Sequence, residues 1–226
     1  MIYYDYYSLV LLLPLFILSA FIQMLLNLTY TKMSRVNNSR NTTGAEIAQM
    51  ILRRAGVYDV AVECVSGKLT DHFDPSKNVI RLSSEVYNGT SISAIGVAAH
   101  ETGHALQYAE NYSPMRFRSA IVGITNFSSK ILYLVVMLSF IAQIPVLCDI
   151  AVMCYLVIFA FQLITLPVEF NASKRAVVNI EETGYSDTDI KGAKKVLTCA
   201  AMTYVVAMLV SLGQLITYVL RTRRRD

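Results

Sequence analysis

Four long apolar runs divide the chain, and the stretches between them carry shorter, patterned segments. Ser8 to Leu28 is almost uninterrupted around Pro14. Ile131 to Leu147 and Cys148 to Val168 are separated only by a turn near Pro145 and Asp149, and Leu197 to Leu220 is the last run. Each has the length and lack of charge of a helix that crosses about 30 Å of hydrocarbon. The first has no basic start and no small-residue cleavage end, so it is expected to be a retained anchor. The short connection between the two central runs predicts an antiparallel membrane hairpin.

Between the first run and the hairpin the period changes. Ala45 to Ala55 places Ile47, Met50, Ile51 and Arg54 at helical spacing, with Gly56 as a stop. "YDVAVECV", "KLTDHF" and "NVIRLS" are short and rich in β-branched residues. They are divided by Ser66-Gly67 and by Asp74-Pro75-Ser76-Lys77, so the pattern predicts a small antiparallel sheet. A second helix should follow, with Thr90 or Ser91 as N-cap. The expected fold is α+β, mainly α, in a multi-pass membrane protein. Its parts are an anchor at 1–30, a small domain at 31–130, the hairpin at 131–168, a helix and loop at 169–196, a span at 197–220 and a basic tail at 221–226.

Composition agrees with this picture. Hydrophobic residues make up 54% of the 226, mean hydropathy is +0.46 and tryptophan is absent, which is too apolar for an ordinary soluble domain. The net charge of +4 is accounted for by the membrane flanks. With no phosphate-binding loop and no nucleic-acid module, the bilayer is the expected partner and nucleic acid is not. Sixteen of the twenty Lys and Arg lie in 31–130 and 169–196, so the positive-inside rule places these segments in the cytoplasm and the chain in the cell membrane. Arg221, Arg223, Arg224 and Arg225 run against that asymmetry, and the internal excess is expected to prevail.

Candidate chemistry sits in "AIGVAAHETGHALQYAENYS", residues 94–113. On a helix His100 and His104 lie about 40° apart, one turn from each other, so both imidazoles can reach a single ion. Glu101 is offset by roughly 100°, on the side toward His104, where it can handle a water held by that ion without being a ligand. This is the H-E-x-x-H arrangement of zinc hydrolases. Gly96 and Gly103 flank the histidine face and suggest a close approach of another element. Cys64, Cys148, Cys154 and Cys199 show no paired spacing, so sulfur does not hold the metal.

A catalytic zinc site normally has three protein ligands and an open position. His72, in "LTDHFDP", and Glu169, in "LPVEFNASKRA", both compete for the third place. By itself Glu169 reads as a solvated carboxylate near a helix start after Pro167, although a carboxylate at a membrane boundary is costly enough to suggest a partner.

"AAHETGHALQY", a membrane hairpin, "LPVEFNASKRA" and "VLTCAAMTYVVA", preceded by "KLTDHFDPSKNVIRLS", together resemble the YugP-type family of neutral zinc metallopeptidases of bacterial membranes. The likeness covers nearly the whole chain. More remotely, the order of motifs is similar to the HtpX and CAAX-prenyl-protease metallopeptidases, whose third ligand is the glutamate of E-x-x-x-D. The resemblance implies a zincin-like domain and Glu169 as third ligand. Ser173 stands where that motif has aspartate, so support of a ligating histidine would fall to Asn171 or Ser173.

Zinc on His100, His104 and Glu169, with Glu101 as general base, implies hydrolysis of a peptide or protein substrate. The segment "NVIRLS" is expected to pair with an extended substrate, and His72 and Tyr185 are candidates for the oxyanion. Two other readings compete. An intramembrane-cleaving zinc protease would carry its motif inside an apolar span with a further aspartate ligand, and a zinc-bound non-catalytic scaffold would have no use for Glu101.

Overall fold

The computed structural model describes residues 2–142 and 144–223. Arg224 and Arg225 of the expected basic tail lie outside the described residues. The elements run α1 (Ile2–Ser34), α2 (Gly44–Arg54), β1 (Ala61–Val65), β2 (His72–Asp74), β3 (Val79–Ser83), α3 (Ser84–Tyr87), α4 (Ile92–Ala109), α5 (Ser113–Ala142), α6 (Pro145–Glu182) and α7 (Asp187–Arg223). The fold is therefore mainly helical with one small sheet, as the pattern predicts. Four helices contain stretches long and apolar enough to cross a membrane: Ser8–Ser34, Ser113–Ser139, Val146–Glu182 and Asp187–Thr222.

The chain divides into two compact units. One comprises residues 1–23, 116–166 and 203–226; the other comprises 24–115 and 167–202. In the first, Leu9, Leu13, Phe16, Ile17 and Phe21 of α1 are exposed, the arrangement expected of a surface solvated by lipid. Gly213 lets α7 approach α1, since a Cβ there would lie 2.9 Å from the Leu15 side chain. Tyr155 and Tyr218 stack obliquely with ring centroids 5.0 Å apart.

The second unit holds a continuous core that includes Ile47, Ile51, Ile80, Leu82, Ile95 and Ile180. Helix α2 begins with a capping box: the Glu46 N–H donates to the Thr43 hydroxyl, and the Thr43 N–H donates to the Glu46 carboxylate. It ends at Gly56, whose φ of +72° is easy only for glycine. Its Ile47–Ile51 stripe is fully buried.

The sheet has the order β1-β3-β2 and is mixed, not wholly antiparallel as expected. β2 and β3 form an antiparallel hairpin in which the Asp74 carboxylate accepts the Ser76 and Lys77 N–H groups and Asn78 takes a positive φ. The chain from β1 crosses to the far side of β3 before β2 begins, which leaves β1 parallel to β3, with Ala61 opposite Val79 and Val65 opposite Ser83. The Ser66-Gly67 turn is thus a crossover and not a hairpin. β3 is the central strand, so "NVIRLS" is paired on both sides, and β1 and β2 are the edge strands.

Candidate metal centre

Helix α4 is placed from its first turn. Ser91 is the N-cap, its hydroxyl accepting the Ala94 N–H at 3.1 Å. The strand-like segment after α1 pairs with the residues just before α4: the Ile92 N–H donates to the Val36 carbonyl and the Asn38 N–H to the Thr90 carbonyl. The glycines of α4 face other helices. A Cβ on Gly96 would touch Ala193 of α7 at 3.4 Å, and one on Gly103 would lie 2.8 Å from the Ala172 carbonyl oxygen of α6.

That approach brings Glu169 to the histidines. Helix α6 continues through Pro167, so Glu169 lies well inside it and not near a helix start. Its carboxylate is 3.3 Å from His100 Nε2 and 3.6 Å from His104 Nε2. The three donor atoms lie within 4.8 Å of one another, the one such histidine, cysteine and acid cluster among the described residues. Glu169 is 2% exposed and His104 6%. The two imidazoles stand edge to face at 83°, so each aims its Nε2 at the shared carboxylate.

The other ring nitrogens are held from outside the cluster. His104 Nδ1 is 3.0 Å from Gln107 Oε1, and the Gln107 amide nitrogen donates to the Val168 carbonyl at 2.8 Å and to Asn171 Oδ1 at 2.9 Å. With that nitrogen committed, the Gln107 oxygen is the acceptor and His104 Nδ1 the donor, which leaves Nε2 for the cluster. His100 Nδ1 is 3.3 Å from the Ser173 hydroxyl. Asn171 reaches no histidine directly; it also accepts from Arg175, whose guanidinium forms a bidentate pair with Glu110 at 2.7 Å.

Glu101 stands apart from this cluster and accepts the Phe73 N–H of β2 at 3.1 Å. Burial pushes its carboxyl above the usual carboxylate range, against the opposing pull of His100. His72 is exposed on the same strand, but its ring bonds to the Thr70 carbonyl and faces Arg81. The Tyr185 hydroxyl bonds to Thr42, with Arg40 over its ring at 5.3 Å. The structure therefore brings His100, His104, Glu169, Ser173 and Asn171 into one network, and His72 and Tyr185 bond elsewhere. Sequence reasoning missed Gln107 and the Phe73 amide. Gln107 was within reach, because a residue three positions after His104 shares its helix face.

Two imidazole nitrogens and one carboxylate oxygen, buried and oriented by neutral hydrogen-bond partners, suit a borderline ion such as zinc with one position left open. Comparisons with known proteins agree. A family model described as "Putative neutral zinc metallopeptidase" matches residues 8–223. The chain is 45% identical over 204 residues to "Putative membrane protease YugP" of Bacillus subtilis (strain 168), covering 90% of this chain and 91% of that protein. No solved structure matches. From its first apolar run to the end of α7, the chain belongs to the family described as "Putative neutral zinc metallopeptidase".

Proposed function

We propose that this membrane protein hydrolyses peptide bonds in protein or peptide substrates, with His100, His104 and Glu169 holding zinc and Glu101 acting as general base. The observation that carries the reading is the convergence of three donor atoms within 4.8 Å, with the half-buried Glu101 carboxylate adjacent to His100 in the chain and not one of them. Bound there, zinc would supply Lewis acidity toward the water and the scissile carbonyl. Glu101 takes the proton of the attacking water and delivers it to the leaving amine. Its raised proton affinity suits that exchange, and the Phe73 N–H fixes one of its oxygens.

The free edge of β2 is the natural place for the substrate backbone. In an antiparallel pair the N–H and C=O of one residue point to the same side. Since the Phe73 N–H turns from β3 toward Glu101, the Phe73 carbonyl also faces outward, where it can accept from an extended peptide. The basic asymmetry of the chain supports a cytoplasmic active site.

The test is metal content and casein cleavage by the detergent-purified full chain. Wild type should hold one zinc and cleave. His100→Ala should lose both properties, and Glu101→Gln should keep zinc and lose cleavage. A Glu101→Gln variant that cleaves at the wild-type rate would exclude the assigned base.

A further inference from the structure

Where α6 leaves and α7 enters the chain's apolar runs, the two helices enclose a groove of about 250 Å³. The helices are antiparallel neighbours joined by only four residues, 183–186. Lys174 and Lys194 line the groove just outside the apolar runs, one from each helix, with Val177 and Val178 farther along α6. Phe170, Leu197 and Ala201 line the end that continues into the runs. Beside it, against α1, lies a second recess of about 470 Å³ that shares Lys194 and adds Lys191 and Lys195. All four lysines are exposed, and among the described residues none is ion-paired with a carboxylate.

Four unpaired ammonium groups at the level of the headgroups, above an apolar slot open toward the hydrocarbon, are complementary to an anionic head carrying a hydrocarbon tail. We propose that this groove binds an acidic phospholipid, its phosphate between Lys174 and Lys194 and an acyl chain along Phe170, Leu197 and Ala201. Free phosphate would leave the slot empty, and a zwitterionic lipid would bring its own cation to the lysines. Ser173 also lines the groove, and its hydroxyl is the one beside His100. The lipid therefore sits one side chain from the candidate metal cluster. Each lysine near a headgroup favours an anionic over a neutral lipid by roughly fivefold.

The chain contains no tryptophan, which supplies a clean probe. A Phe170→Trp variant of the full chain is reconstituted in phosphatidylcholine vesicles with a fraction of lipid brominated on its acyl chains. Brominated phosphatidylglycerol should quench the tryptophan more than brominated phosphatidylcholine at equal mole fraction, corresponding to a preference of about tenfold or more. Adding Lys174→Gln and Lys194→Gln should remove most of that preference. Adding Lys68→Gln and Lys77→Gln, which deletes equal charge from exposed positions near the sheet, should leave it intact. Native mass spectrometry of the protein without tryptophan should show phosphatidylglycerol retained through detergent exchange, and lost in the Lys174/Lys194 double variant. Equal quenching by the two lipids, or equal losses in both double variants, would overturn the proposal. So would displacement of the lipid by millimolar inorganic phosphate, or by an acidic peptide, which would reassign the groove to the free anion or to substrate.

Discussion

His104 presents its Nδ1 to the side-chain oxygen of Gln107 at 3.0 Å, and the Gln107 nitrogen is tied to α6 through the Val168 carbonyl and Asn171. One neutral side chain thus orients a candidate ligand from α4 and holds it against the helix that carries Glu169. Gln107→Leu, similar in size but unable to bond, should weaken zinc binding by about 10–100-fold. Gln107→Glu, which keeps the acceptor, should bind closer to wild type. Competition with a fluorescent chelator measures both.

Glu169 and His72 separate by metal content. Glu169→Ala removes the carboxylate that lies within 3.6 Å of both histidines, and its zinc should fall to well below one per chain. His72→Ala, which breaks only contacts to Thr70 and Arg81, should keep its zinc. The reverse outcome would make His72 the third ligand.

The orientation of the chain is open to direct labelling. Reporters near Asn38 and Asp187 should be cytoplasmic and one at Ile144, in the connection between α5 and α6, external, given sixteen basic residues against four. An external Asn38 reporter would move the active site to the other face.

Thr43 tests stability apart from chemistry. Thr43→Ala breaks the capping box of α2 and should lower stability by about 0.5–2 kcal/mol. Zinc stoichiometry should not change, because none of the candidate ligands lies on α2. Thermal unfolding in detergent, with metal analysis beside it, resolves the two effects.

The elements with strong local periodicity were legible in the sequence: the apolar runs, the α2 stripe from Ile47 to Ile51, the Ser91 cap and the His100–His104 face. Strand order was not. Ser66-Gly67 has the same turn chemistry whether the chain doubles back beside β1 or crosses over β3, and only long-range pairing decides. The polar segment 37–43 carries no periodic signal, yet Asn38 is buried, Ser39 bonds to Asp189, Thr42 bonds to Tyr185 and Thr43 caps α2. Short polar residues look alike whether they are solvated or knitting two loops together. Glu169 could be linked to the histidines only through resemblance, because sixty-five residues separate it from His104 and no period spans that distance. The Pro167 signal misled for a physical reason: proline breaks most soluble helices, but a long apolar helix tolerates it where neighbouring groups satisfy the freed backbone.

Gly103 carries a consequence for how folding and activity part company. Helix propensity favours alanine over glycine by about 1 kcal/mol, so by local energetics Gly103→Ala should be an improvement. Yet the added methyl would meet the Ala172 carbonyl oxygen at 2.8 Å, and two helix backbones would have to move apart by several tenths of an ångström. Metal–ligand distances tolerate only about 0.2 Å. The position therefore acts as a shim: its thickness, not its stability, sets the aperture into which the ion must fit. A Gly103→Ala variant should therefore come off the column with less than one metal ion per chain, whatever its melting temperature.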